Sequence, residues 1–436
     1  MRSYPETKVA IVGLGTVGQG VAKLLLEHSD RFALHAGRRL VLAEAVVREL
    51  DKKRSIELPA KIVSNDIQRI LKNKEIEVVA TLIGGIEPER SIILKCLEAG
   101  KDIVTANKAL LAEHGTELFD RARELGRSIA FEAAVCGGIP IITNISQCLS
   151  ANQISSLRGI LNGTSNYIIS QMEEHGTSYA QALKEAQRLG YAEADPTLDV
   201  DGSDAAQKLS ILAHLAFGAR VNWREIPRVG INTVQDDDLR YAGELGYHIR
   251  LLAVAELHND LLELHVSPTL IRAGRPLAEV RGAYNAVSVV GDAVGPLFFH
   301  GLGAGQMPTA SAVVADMIDT AVGRARITFR GLELWSSRGT DVRLNIAAEG
   351  SARYYLRFTV EDHPGVLAKI TGVLGKHSIS IASVIQHEPG EADGNIYVPL
   401  VIMTHSTTDS ATRAALAEIG QLDCVRQGSV SLRVLH

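Results

Sequence analysis

The stretch KVAIVGLGTVGQGVAKLLLEH, residues 8–28, constrains the fold more than any other part of the chain. Val9–Val12 is a short apolar run of the kind parallel strands show when helices cover both faces. An amphipathic helical pattern follows directly. Between the two stand Gly13, Gly15 and Gly18, spaced G-x-G-x-x-G. The first glycine permits a tight turn, the second lets a pyrophosphate approach the backbone, and the third lets helix and strand pack closely. Free N–H groups and the helix dipole favour an anion at that end. In this strand–turn–helix setting, Gly13, Leu14, Gly15, Thr16, Val17 and Gly18 form a candidate dinucleotide site.

Strands are predicted at 39–47, 78–83, 102–105 and 128–131, alternating with helices such as 89–99 and 109–125. That alternation is the pattern of an α/β, doubly wound (Rossmann) parallel sheet, whose functional residues lie at the carboxyl ends of its strands. The strand RLVLAEAVV should end near the adenosine ribose. There the chain offers Arg48, followed by Lys52, Lys53 and Arg54, rather than the lone acid that would take a 2′-hydroxyl. Arg48 suits the 2′-phosphate of NADP, while the adjacent Glu49 keeps NAD open. Lys108, in IVTANKALL, sits past a strand tip at a helix start. A cation there opposes the helix dipole, so ligand binding is the better reading.

Composition narrows the function classes. Hydrophobic residues make up 46% and charged residues 22% of 436 positions, which suits an ordinary globular chain of two or three domains. A formal net charge of −5 argues against a nucleic-acid partner. The four cysteines lie far apart, which suits a reducing compartment and carries no zinc spacing. The N-terminus runs straight into a strand, and no apolar run has membrane-span length, so a cytoplasmic protein with no membrane association is expected.

Residues 195–218, DPTLDVDGSDAAQKLSILAHLAFG, crowd acids into a loop and then turn apolar. Ser203-Asp204 reads as a helix start, and Ala206, Leu209, Ile211, Leu212 and Ala213 as its buried face. Lys208 follows Asp204 by one turn. As an exposed i,i+4 pair the two would contribute a few tenths of a kcal/mol. As a catalytic pair, Lys208 would be the acid that a reduced carbonyl oxygen requires, with Asp204 fixing its rotamer. Glu193, in YAEAD, and Asp199 add acidic groups suited to a substrate ammonium.

Six segments together resemble homoserine dehydrogenase: GLGTVGQGV, TANKALL, FEAAVCGGIPII, LNGTSNYI, GYAEADPTLDVDGSDAAQKL and GLGAGQMPTASAVVADMID. The resemblance implies NAD(P)-dependent interconversion of L-homoserine and L-aspartate 4-semialdehyde, in threonine, methionine and isoleucine biosynthesis. It implies Lys208 as general acid/base, Asp204 as its partner, and Glu193, Asp199, Asp204 and Lys108 as substrate-binding residues. Lys108 and Gly305 would also reach the cofactor. A monovalent cation, sodium, is implied at Glu132, Val135, Gly137 and Ile139, mostly through backbone oxygens. A homodimer or homotetramer is expected.

Beyond 350 the pattern is strand, helix, strand, strand, helix, strand, with Asp362-His363-Pro364-Gly365 at the first strand–helix turn. It resembles an ACT domain, a ferredoxin-like β-α-β-β-α-β module that implies an amino-acid effector, here L-threonine. The domain division expected is 1–140 plus 307–326 for the nucleotide, 141–306 for catalysis and dimerisation, 327–352 as a polar irregular linker, and 353–436 for regulation. Two rivals stand beside this reading. An amino-acid dehydrogenase acting at Cα would not need the Glu193, Asp204 and Lys208 set, and a nucleotide-sensing regulator would need no acid/base at all.

Overall fold

The computed structural model of the chain describes residues 4–332, 342–345, 350–387 and 397–435. Its strands are, in chain order, β1 (Glu6–Val12), β2 (Arg39–Val46), β3 (Val63–Ser64), β4 (Ile76–Thr81), β5 (Asp102–Thr105), β6 (Ile129–Ala130), β7 (Ile154–Ile160), β8 (Tyr247–His258), β9 (Leu261–Arg272), β10 (Tyr284–Gly291), β11 (Gly295–Leu302), β12 (Arg343–Asn345), β13 (Ser351–Glu361), β14 (Ile381–Gln386), β15 (Tyr397–Thr404), β16 (Thr407–Thr408) and β17 (Val430–Leu435). The chain falls into two compact units. The first comprises Met1–Leu157, Gln207–Trp223 and Asn285–Arg343, and the second Arg158–Ala206, Arg224–Tyr284 and Leu344–His436. No helix among the described residues is long and apolar enough to cross a membrane.

The first unit carries a six-stranded sheet in the order β3-β2-β1-β4-β5-β6, parallel throughout. Val9, Ile11, Val78, Ala80 and Val104 are buried in its core, as expected of strands covered on both faces. The strand order reverses between β1 and β4, so ligands should lie outside the carboxyl ends of that pair. Helix Thr16–Ala36 leaves the β1 end and packs on helix Gln306–Ala321, whose Ala310, Val313 and Met317 join the same core.

In the second unit the strands run β8-β9-β17-β13-β15-β14 within one sheet. β8 and β9 form a long antiparallel pair, from Tyr247 against Arg272 to His258 against Leu261. Strands β13, β15, β14 and β17 are antiparallel neighbours, and helices Val366–Lys376 and Asp409–Ile419 bury Ile370, Leu374, Ala415 and Ile419 against them. This is the ferredoxin-like β-α-β-β-α-β module. Its last strand does not form a free edge. β17 pairs in parallel with β9, Arg433 opposite Thr269 and Leu435 opposite Ile271.

The expected linker at 327–352 needs correction where it is described. Arg324–Leu332 is a helix and Arg343–Asn345 a strand paired with β9, while 333–341 and 346–349 lie outside the described residues. The apolar residues of this helix part ways, and Ile327 is exposed. Phe329 is buried and stacks on Phe119 with ring centroids 5.3 Å apart.

Candidate active site

The three glycines of the first turn do different work. Gly13 has φ of +100°, and a Cβ there would lie 2.7 Å from the Leu82 carbonyl oxygen. A Cβ at Gly18 would lie 2.0 Å from the Gly13 carbonyl oxygen. At Gly15 a Cβ would meet nothing within 4 Å. The protein itself therefore requires glycine at 13 and 18, while at 15 the space lies open beside the helix N-terminus. That opening fits a pyrophosphate bound on main-chain N–H groups. Gly305, with φ of +119°, precedes helix Gln306–Ala321, and Gln306 Nε2 donates to the Thr16 carbonyl at 3.1 Å. Gly305 is thus held beside the glycine turn. Arg48 lies just past β2 with its side chain 92% exposed, its guanidinium paired with Glu49 at 3.0 Å.

Lys108 opens helix Lys108–Glu124 and is half-buried. The residue before it, Asn107, accepts from the Leu110 N–H and donates through Nδ2 to the Gly85 carbonyl at 2.6 Å and Glu89 Oε2 at 2.8 Å. Glu89 is fully buried and also accepts from Thr105 Oγ1 at 3.0 Å and Gly84 N–H at 3.1 Å. Burial pushes its pKa up, against the pull of these donors. Glu89 thus ties the ends of β4 and β5 together, a role the sequence reading missed. Its one signal was an acid at the start of the Glu89–Glu98 helix.

The acid-rich loop of the second unit is organised by the polar turn that starts helix Gly163–His175. Asn162 caps that helix, its Oδ1 accepting from Ser165 N–H at 2.7 Å. Its Nδ2 donates to Asp199 Oδ1 at 2.7 Å and to Asp204 Oδ2 at 2.8 Å. Thr164 Oγ1 donates to the Tyr191 carbonyl at 2.6 Å, and Ser165 Oγ to the Asp199 carbonyl at 2.7 Å. Asp199 and Asp204 are therefore brought together, whereas Glu193 is exposed, its carbonyl accepting from Gln187 Nε2 at 3.2 Å. Helix Ser203–Phe217 carries Asp204 in its first turn and Lys208 one turn later. From Ser203 to His214 this helix is buried at every position except Lys208, which is half-buried. His214 is a core histidine, its Nδ1 3.2 Å from the Ala219 carbonyl, and burial pushes its pKa down to about 4.

Glu132 is buried at 5% exposure, and both its carboxylate oxygens are taken by the chain. Oε1 accepts from Ile142 N–H at 2.8 Å, and Oε2 from the N–H of Thr143 at 2.8 Å and from its hydroxyl at 2.5 Å. Burial raises its pKa. The Glu132 N–H donates to Asp316 at 2.8 Å, and the Ile139 carbonyl accepts from Ile141 N–H at 2.7 Å. The Glu132 side chain thus serves its own turn.

A parallel sheet with an open glycine turn, an acid-lined α/β unit and a ferredoxin-like module define an NAD(P)-binding oxidoreductase with an ACT domain. Residues 13–132 match the NAD-binding domain of homoserine dehydrogenase, 140–318 homoserine dehydrogenase itself, and 354–424 the ACT domain. The homoserine dehydrogenase of Pseudomonas aeruginosa is 44% identical over 98% of both chains, and that of Synechocystis 41% identical over 98% of this chain and 99% of its own. The crystal structure of the Thiobacillus denitrificans enzyme superposes with a TM-score of 0.90 at 40% identity, covering 100% of this chain and 99% of that one. The chain belongs to the homoserine dehydrogenase family.

Proposed function

We propose that this chain interconverts L-homoserine and L-aspartate 4-semialdehyde with Lys208 as the general acid/base, in threonine, methionine and isoleucine biosynthesis. The observation that carries the reading is a half-buried lysine in the otherwise buried stretch Ser203–His214 of its helix, one turn after an aspartate tied to a second aspartate. A bound nicotinamide supplies the hydride acceptor. In the oxidative direction neutral Lys208 takes the hydroxyl proton as the carbon loses hydride, and in the reductive direction its ammonium returns that proton to the forming alkoxide. Asp204 fixes the lysine rotamer one turn away. Asp199, Asp204 and Glu193 hold the substrate ammonium, and Lys108 the substrate and cofactor.

We further propose NADP as the preferred cofactor, Arg48 exchanging Glu49 for the 2′-phosphate, with Gly13, Leu14, Gly15, Thr16, Val17 and Gly18 on the pyrophosphate and Gly305 beside them. Sodium, held by main-chain oxygens of Glu132, Val135, Gly137 and Ile139, is the proposed cation. L-threonine is the proposed effector, with its carboxylate on the helix N-terminus after Gly365. The working form is a cytoplasmic homodimer or homotetramer. The test is Lys208→Ala, assayed with L-homoserine and either cofactor. Loss of kcat by about 10²–10⁴, with dinucleotide affinity kept, supports the role, and retained turnover overturns it.

A further inference from the structure

Two carboxylates that must cooperate on one cationic substrate group repel each other, and something has to hold them. In this chain one neutral side chain contacts both. Asn162 is 5% exposed, and its Nδ2 reaches Asp199 Oδ1 at 2.7 Å and Asp204 Oδ2 at 2.8 Å. A primary amide has two N–H donors, so each carboxylate takes one and the donor capacity is used up. The amide cannot flip, because its oxygen accepts from Ser165 N–H at 2.7 Å, and a reversed amide would set donor against donor.

From this geometry we propose that Asn162 is a positioning residue for the reaction, holding Asp199 and Asp204 as a pre-aligned pair. The inference rests on the roles given above to Asp199, Asp204 and Lys208. The amide suits the task better than a cation would. Lysine or arginine at 162 would also gather the two acids, but would cancel the negative field that draws the substrate ammonium. Asparagine holds them and leaves both charges in place. Asp204 lies one turn before Lys208 on a single helix, so fixing its side chain also fixes the residue that the proposed mechanism pairs with Lys208. The cap and the bridge come from one side chain, so the helix Gly163–His175 and the acid pair are positioned together.

Asn162→Ser and Asn162→Asp separate the two duties, because serine and aspartate are both good helix caps and neither can bridge two carboxylates by donation. If Asn162 only caps, Asn162→Ser is silent. If it positions the pair, kcat/KM for L-homoserine falls about 10²-fold in Asn162→Ser, the scale expected when reacting groups shift by about 1 Å. The fall is deeper in Asn162→Asp, which sets a third carboxylate against the other two. Dinucleotide affinity, measured by fluorescence titration, and Tm should stay close to those of the unmodified chain in Asn162→Ser. Lys208→Ala is measured alongside. If it loses turnover while Asn162→Ser keeps normal kcat/KM, the positioning role is wrong and the catalytic reading stands. If Lys208→Ala keeps turnover, the catalytic reading is wrong and the positioning role falls with it. Should Asn162→Ser fail to fold, Asn162→Thr, also a cap and unable to donate to two carboxylates, decides the question.

Discussion

Asp238, in the helix Asp236–Glu244, and Arg357, in the middle of β13, form a buried ion pair with N–O distance 2.6 Å. Tyr355 donates its hydroxyl to the same carboxylate at 3.0 Å, and a second guanidinium nitrogen reaches Gln235 at 2.7 Å. Both charges are withdrawn from water, so removing one leaves the other uncompensated. Arg357→Met should cost about 3–5 kcal/mol in urea unfolding, whereas the double change with Asp238→Leu should recover much of it. Equal losses in the single and double variants would show that the pair is not the source.

The glycine turn separates folding from binding. Gly18→Ala must displace the Gly13 carbonyl, so it should lower Tm by several degrees and yield little protein. Gly15→Ala meets no protein atom within 4 Å and sits at φ of −73°. It should fold normally, yet raise the dinucleotide Kd by about tenfold or more, because its methyl occupies the approach of the pyrophosphate. Normal affinity in Gly15→Ala would remove the dinucleotide from that opening.

Arg48→Ala should weaken NADP far more than NAD, since only NADP carries the 2′-phosphate. Its pairing with Glu49 lies at the surface and contributes little to the fold. Equal loss for both cofactors would show that Arg48 does not read that group.

His214 makes stability pH-dependent. Burial lowers its folded pKa to about 4 from an ordinary 6.5. Between those values the unfolded chain takes up a proton that the folded chain refuses. Stability is therefore full above pH 6.5 and falls as pH drops toward 4, by up to ~3 kcal/mol for this group. His265, buried beside Arg433 and Arg158, is lowered too and adds in the same direction. His214→Gln should flatten the Tm–pH profile over that window. An unchanged slope would place the acid sensitivity elsewhere.

Truncation near Gly350 would strip β17 from β9 and Arg357 from Asp238. The truncated chain should be aggregated or strongly destabilised. Threonine response is better tested in Gly365→Ala, whose φ of +95° makes the strain about 1 kcal/mol while its methyl meets nothing within 4 Å. Inhibition by L-threonine should weaken there with basal turnover kept. Equal inhibition in both forms would move threonine away from the turn.

Local features were the legible ones. The 8–28 strand–turn–helix, the Ser203–Phe217 helix and the strand order of the ACT module each follow from spacing within a few residues. Asn162 was visible only as part of a polar turn, because its partners lie 37 and 42 residues away. Glu89 was hidden likewise, its donors coming from two strand ends. The 324–332 helix was obscured by arginines on either side of Phe329, one of which, Arg326, pairs with Asp102 at 2.6 Å. The β9–β17 pairing leaves no local mark at all, since both strands read as ordinary alternating segments.

That pairing also sets a clock on synthesis. Thr269 and Arg433 lie side by side in the ladder but about 160 residues apart in the chain, which at roughly 5–20 residues per second separates their emergence from the ribosome by about 8–30 s. For that interval β9 has one side paired to β8, while the stretch Thr269–Ile271 that later takes β17 is an unsatisfied template for any passing strand. The nascent chain is then most exposed to mispairing with its neighbours on a polysome, and a holding chaperone would act on it there, long before the finished enzyme has an edge to protect.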